Sequence, residues 1–115
     1  MKTLKDLIAE AHALVPKITC SELSSELDHY MIIDVREKTE IDETGSLPNS
    51  INIPRGLIEM KMAPDDNSLK AETPIVVYCG GGSRASLAGK TLQELGFKSV
   101  KNLEGGFRGW KEFVN

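Results

Sequence analysis

One stretch of this chain carries residues arranged for chemistry: Tyr78-Cys79-Gly80-Gly81-Gly82-Ser83-Arg84-Ala85-Ser86. An apolar, β-branched run from Ile75 ends where Cys79 begins, and helical periodicity resumes around Arg84. In open α/β sheets, ligand sites form at the carboxyl ends of strands. Three consecutive glycines are costly in chain entropy. They make sense where the backbone must curl tightly and turn several N–H groups inward. Such a ring beside a helix N-terminus favours an anion at its centre, and the atom placed there is the Cys79 sulfur. Arg84 adds fixed positive charge. The expectation is therefore a nucleophilic thiolate at Cys79, cradled by Gly80, Gly81, Gly82, Ser83 and Arg84. The competing view, a glycine-rich turn around an inert cysteine, does not account for strand, cysteine, glycine loop and helix occurring in that order.

Other reactive side chains are less decisive. Asp34 follows a second apolar run, Met31-Ile32-Ile33, and with Arg36 is a supporting candidate for the site. Asp34 and Glu37 also form a D-x-x-E pattern, which would make Asp34 a helix cap instead. Arg36, Arg55 and Arg108 could each draw in an anion or simply be solvated. Cys20, placed in the first turn of a helix, could be a mildly activated resolving thiol; an ordinary packing role is the alternative. His12 and His29 lack metal-ligand spacing, so no metal and no cofactor are expected. Trp110, Phe107 and Phe113 read as core and cover residues, with Gly105 and Gly106 forming a tight turn before a last helix.

The elements that must position these groups can be traced along the chain. Leu4, Leu7, Ile8, Ala11, Leu14 and Val15 recur at helical spacing, so residues 3–14 are expected to form an amphipathic helix, stopped by Pro16. Lys5, Asp6 and Glu10 interrupt the apolar core that a secretion signal would need. Thr19 and Glu22 form an S/T-x-x-E box that should start a short helix near Cys20, running to about His29. Residues 31–33 and 75–78 are apolar on both faces, as strands of a helix-covered parallel sheet are. Residues 51–53 and 100–103 are two further short strands. Residues 57–62 should form a short helix, 63–73 an exposed link, and 85–95 a helix whose buried face is Ala85, Ala88, Leu92 and Leu95, ended by Gly96. Strands alternating with helices define an α/β domain with a mostly parallel central sheet flanked by helices. The division expected is an extra N-terminal helix over 1–16 and the domain proper over 17–115.

Composition bounds the function. The 115 residues are 40% hydrophobic and 27% charged, an ordinary globular balance. A net charge of -3 gives no basic footprint for nucleic acid. No apolar run approaches the roughly 20 residues needed to cross a bilayer, so neither a nucleic-acid nor a membrane partner is expected, and the location expected is cytoplasmic. Two cysteines exclude a disulfide framework and a four-cysteine zinc site.

Four motifs in order resemble the rhodanese-like sulfurtransferase family over about residues 17–114. They are D-V-R-E at 34–37, G-S-L-P-N-S-I-N-I-P at 45–54, C-G-G-G-S-R at 79–84 and E-G-G-F-R-G-W at 104–110. Ser46, Asn49 and Ser50 stand where the family usually has His, Gly and Ala; Asn49 can still supply the positive φ that such a turn needs. The resemblance implies a rhodanese-like fold, a catalytic Cys79 and a persulfide intermediate. Its implied activity is transfer of a sulfane sulfur from a small anionic donor such as thiosulfate to a thiophilic acceptor, a thiol or a protein cysteine. The loop lacks the basic residue that some members carry between Cys and Arg, so tight thiosulfate binding is not implied. Two alternatives stay open: a non-enzymatic persulfide carrier or interaction module in a sulfur relay, and a Cys-Arg phosphatase or arsenate-reductase-like enzyme. Four residues separate Cys79 from Arg84, whereas the phosphatases have five, and the shorter loop favours sulfur over phosphate.

Overall fold

The computed structural model describes residues 1–63 and 69–115. Five parallel strands, β1 (Lys17–Ile18), β2 (Met31–Asp34), β3 (Ser50–Asn52), β4 (Ile75–Tyr78) and β5 (Val100–Leu103), form one sheet in the order β1-β5-β4-β2-β3. Six α-helices connect and cover them among the described residues: α1 (Leu4–Leu14), α2 (Cys20–Ser24), α3 (Lys38–Thr44), α4 (Ile58–Lys61), α5 (Ser83–Glu94) and α6 (Gly106–Val114). A 3₁₀ turn over Arg55–Leu57 leads into α4.

Side chains alternate across the two central strands, and each face packs a separate cluster. Ile33, Ile75, Val77 and Cys79 meet Ala85, Ala88 and Leu92 of α5 and Ile58 of α4. Ile32, Val76 and Tyr78 meet Leu23 of α2 and Phe107 and Trp110 of α6. This two-sided burial is why both strands lack a polar face.

Several expectations shift. The helix starting at Cys20 ends at Ser24 rather than near His29. There the Ser24 and Ser25 hydroxyls donate back to the carbonyls of Ser21 and Glu22, and three-residue hydrogen bonds take over. The third strand sits at 50–52, one residue early. Asp34 caps no helix: α3 starts at Lys38, and the Glu40 carboxylate accepts from the backbone N–H of Glu37 at 2.8 Å. The helix start offered by the Asp34–Glu37 pattern thus falls three residues later, at a Glu37–Glu40 box, and the two-residue β1 was not expected because it is too short to show a pattern. Of the exposed link expected over 63–73, residues 64–68 lie outside the described residues.

The N-terminal helix lies against α5. Ala11 and Val15 are buried there, and Gly89 lets Val15 approach to 3.0 Å of where a Cβ would stand. Leu4, Leu7 and Leu14 of the same apolar stripe stay exposed. At the end of β2 the buried Asp34 carboxylate accepts from the backbone N–H of Arg36 at 3.0 Å and from its Nη2 at 2.8 Å. The guanidinium also donates to Thr44 Oγ1 and the Gly45 carbonyl and lies 4.4 Å from the Phe107 ring centroid. Removing one partner of a buried pair strands the other charge. Arg36→Met should therefore cost about 3–5 kcal/mol in urea denaturation; a loss below about 1 kcal/mol would show that Asp34 finds other partners.

Candidate functional site

Cys79 follows β4 directly and is only 1% exposed. Its sulfur accepts from the backbone N–H of Gly82 at 3.0 Å and of Ala85 at 3.4 Å. Gly82 reaches this geometry at φ +121, a conformation that side chains resist, and α5 begins at the next residue. The sulfur thus faces two N–H donors and the positive end of a twelve-residue helix. The 80–84 cradle was expected around a further sulfur carried on Cys79, not around the Cys79 sulfur alone. The Cys79 sulfur itself meets the N–H groups of Gly82 and Ala85, while Ser83 is exposed and opens α5.

The loop is held from behind by α6. The N–H groups of Phe107 and Arg108 donate to the carbonyls of Cys79 at 2.8 Å and Gly80 at 3.3 Å. A Cβ on Gly106 would lie 2.5 Å from the Cys79 carbonyl oxygen and 2.7 Å from that of Gly80, so only glycine permits this docking. Gly105 and Gly106 both have positive φ. These glycines do more than turn the chain. On the other side, Asn102 Nδ2 donates to the Gly82 carbonyl at 3.3 Å and to Ser86 Oγ at 2.8 Å. Ser86 Oγ is 2.9 Å from His12 Nδ1, so α1 reaches the back of the loop. His12, assigned no role from its spacing, sits in this network because the fold lays α1 on α5.

Arg84 forms a bidentate pair with Glu40, Nη1 to Oε2 at 2.7 Å and Nη2 to Oε1 at 2.9 Å. The paired guanidinium, chiefly through its hydrogen bonds, pulls the Glu40 carboxyl down to about 2. Glu40 is the residue sequence reasoning missed; the signal available was the acidic third position of a helix start after Glu37. Asp34 and Arg36 are spent on each other, so both frame the site. Tyr78 ends β4 with its hydroxyl buried; burial first and Asp34 second push it up to about 12. It accepts from Leu47 N–H at 3.0 Å and donates to Ser50 Oγ at 3.2 Å, anchoring the turn in which Asn49 has the expected positive φ of 63.

Cys20 lies apart from the loop, with Sγ 3.9 Å from the Glu104 carbonyl oxygen. Burial and the Glu104 charge push its thiol up, which favours the ordinary packing role over a mildly activated resolving thiol. Trp110 and Phe107 are buried as expected, but Phe113 is exposed. Among the described residues no cluster of side chains could hold a metal ion, and no helix is long and apolar enough to cross a membrane.

A buried strand, a sulfur at its carboxyl end, a glycine loop and a helix N-terminus together place a thiol among N–H donors in an α/β fold. The family model of the rhodanese-like domain matches residues 19–113, and the chain belongs to that family. It is a family of rhodanese-like sulfurtransferases and sulfur carriers. Among curated relatives, the chain is 30% identical to the Bacillus subtilis "Putative sulfur carrier protein YrkF" over 89% of its own length, spanning 54% of that protein. It is 36% identical to the mouse "Thiosulfate sulfurtransferase/rhodanese-like domain-containing protein 3", over 92% of this chain and 73% of that one. Among solved structures, the "Protein of Unknown Function RPA3614, Possible Tyrosine Phosphatase" of Rhodopseudomonas palustris superposes with a TM-score of 0.88 at 31% identity, covering 100% of this chain and 93% of that one.

The Glu40–Arg84 pair carries a pH signature. A carboxyl lowered from 4.5 to about 2 adds stability that is complete above its ordinary value and fades as pH falls through the folded one. Both side chains are more than a third exposed, which keeps the contribution small. The stability gap between wild type and Glu40→Gln should be widest above about pH 4.5 and close near about pH 2. A gap that stays constant over this range, in melts taken at each pH, would assign the effect to packing.

Proposed function

We propose that this protein is a sulfurtransferase that carries sulfur as a persulfide on Cys79. The Cys79 thiolate attacks the sulfane sulfur of a small anionic donor such as thiosulfate. The donor's S–S bond breaks, sulfite leaves with the electron pair, and the sulfane sulfur stays on Cys79. A thiol or protein cysteine then attacks that outer sulfur and releases the thiolate. This is two-step nucleophilic catalysis and predicts ping-pong kinetics. Gly80, Gly81, Gly82, Ser83 and Arg84 form the cradle, Asp34 and Arg36 support it, and neither metal nor cofactor takes part. Cys20 is not needed. The protein works in a reducing, cytoplasmic setting.

The observation that carries this reading is the cysteine sulfur at the end of β4, facing the Gly82 and Ala85 N–H groups inside a loop of four intervening residues. Donors fixed in place hold negative charge on sulfur without reorganising. A carrier role, in which the persulfide passes directly to a partner protein, is the second reading, and similarity to a protein named as a sulfur carrier favours it. A phosphatase is disfavoured, because the cradle is one residue short of the phosphatase spacing.

Intact-mass spectrometry after thiosulfate treatment without reductant is the direct test. One sulfur mass should add to the wild type and to Cys20→Ser, and none to Cys79→Ser. Sulfur found on Cys20 of the Cys79→Ser protein would overturn the assignment.

Loop size gives a further expectation. One glycine inserted after Gly82 should lower thiosulfate:cyanide transfer by about a hundredfold, the usual effect of losing one oxyanion donor. If the unmodified protein hydrolyses an aryl phosphate faster than it moves sulfur, loop length is not the selector.

A further inference from the structure

The mouth of the loop opens into a depression of about 290 Å³ whose lining includes Arg36, Glu40, Thr44, Arg84, Phe107 and Arg108. Three guanidiniums converge on it, and their partners differ. Arg36 is committed to Asp34, and Arg84 is committed to Glu40 by two hydrogen bonds. Arg108 is exposed, and among the described residues its side chain has no carboxylate within 4.0 Å and no hydrogen-bond partner. Its guanidinium lies across the glycine loop, with Nη2 3.3 Å from where a Cβ on Gly81 would stand and 3.9 Å from one on Gly80. The side chain is also rooted in the loop it covers, because the backbone N–H of Arg108 donates to the Gly80 carbonyl.

The two glycines leave the space that the guanidinium occupies. The loop supplies no cation of its own between Cys79 and Arg84. Glu43 is the second carboxylate on the rim, beside Glu40. Counting the buried Asp34, the carboxylates equal the three guanidiniums in number, so the mouth as a whole is not strongly cationic, yet only Arg36 and Arg84 are paired at contact distance. An approaching anion gains little from Arg36 or Arg84, whose charges are already neutralised at hydrogen-bond distance. The cation left for it is Arg108.

We infer that Arg108 is the specificity-determining residue of this site: it receives the anionic end of the sulfur donor while the sulfane sulfur faces Cys79. The inference rests on the sulfur-transfer reading and assigns the charge recognition within it. Arg108 moves no proton and makes no bond to sulfur. It selects donors that carry a sulfonate or carboxylate beyond the sulfane sulfur, and it disfavours cationic ones. Arg84 then serves the loop's shape, through Glu40, more than the donor's charge.

Two classes of donor separate these roles. The first is thiosulfate. The second is a pair of short alkyl persulfides, one ending in a carboxylate (3-mercaptopropionate persulfide) and one in an ammonium (cysteamine persulfide). With either persulfide the Cys79 thiolate attacks the outer sulfur, the S–S bond breaks and an alkyl thiolate leaves, so the two probes differ only in terminal charge. Single-turnover persulfidation of Cys79 would be followed by intact mass in wild type, Arg108→Gln and Arg108→Lys.

For thiosulfate and the carboxylate persulfide, Arg108→Gln should raise the half-saturating concentration about tenfold, the scale of one charge-assisted contact at an open site. The maximal rate should stay unchanged. The cysteamine persulfide should react with Arg108→Gln as fast as with wild type or faster, which also shows that the variant is folded. Arg108→Lys should keep most of the selectivity. Added salt should raise the wild-type half-saturating concentration for thiosulfate and leave that of Arg108→Gln nearly flat. Equal losses for all three donors, or no change with thiosulfate, would overturn the assignment while leaving sulfur transfer intact. Failure of every donor to persulfidate Cys79 in the wild type would instead remove the sulfur-transfer reading, and this inference with it.

Discussion

The docking of α6 onto the backbone of Cys79 and Gly80 is the constraint on which the site depends. A loop that turns its N–H groups inward must turn carbonyls outward, and buried carbonyls without partners are costly. The N–H groups of Phe107 and Arg108 meet the carbonyls of Cys79 and Gly80, so the loop's inside is left free for sulfur. This works only because Gly106 has no Cβ where the two carbonyl oxygens stand. The same contact sets where α6 begins, buries Phe107 and Trp110 against the sheet, and lays the Arg108 side chain over the loop.

Electrostatic pairing is the second organising feature. Asp34 with Arg36 and Glu40 with Arg84 place two cations beside the loop and neutralise both within hydrogen-bond distance. The two pairs differ in kind. The first is buried and ties the end of β2 to the turn after α3 through Thr44 and Gly45. The second is partly solvated and ties α3 to the start of α5. Together they make α3, which buries no side chain of its own, a bracket held by charge more than by apolar contact.

The N-terminal helix lies outside the span matched by the family model, which starts at residue 19, yet it is joined to the loop. Val15 fits against Gly89, Gln93 donates to the Leu14 carbonyl, and His12 meets Ser86, itself bonded to Asn102 and thence to the Gly82 carbonyl. This chain of contacts stiffens the carbonyl side of the residue whose N–H faces the sulfur. Asn102 is held there by β5, and among the described residues its Oδ1 atom has no hydrogen-bond partner.

The amino-acid sequence by itself determined what depends on near neighbours. The β-branched runs at 31–33 and 75–78, the spacing in 3–14 and 85–95, the Thr19–Glu22 box and the cysteine–glycine–arginine loop are all local patterns, and each became the element it indicated. Their order along the chain sufficed for a parallel α/β sheet with the cysteine at a strand's carboxyl end. Tertiary structure decided which charges meet. Glu40 and Arg84 are 44 positions apart, and His12 and Ser86 are 74 apart. No spacing rule connects residues so distant; the parallel strand order brings them together. Helix α3 was legible only as a start pattern set three residues too early, for a related reason: its stability comes from a cap and from an arginine supplied by another element, so no apolar stripe fixes its place. Gly106 was legible as a turn, but its need for a bare α-carbon exists only once α6 meets the cysteine loop.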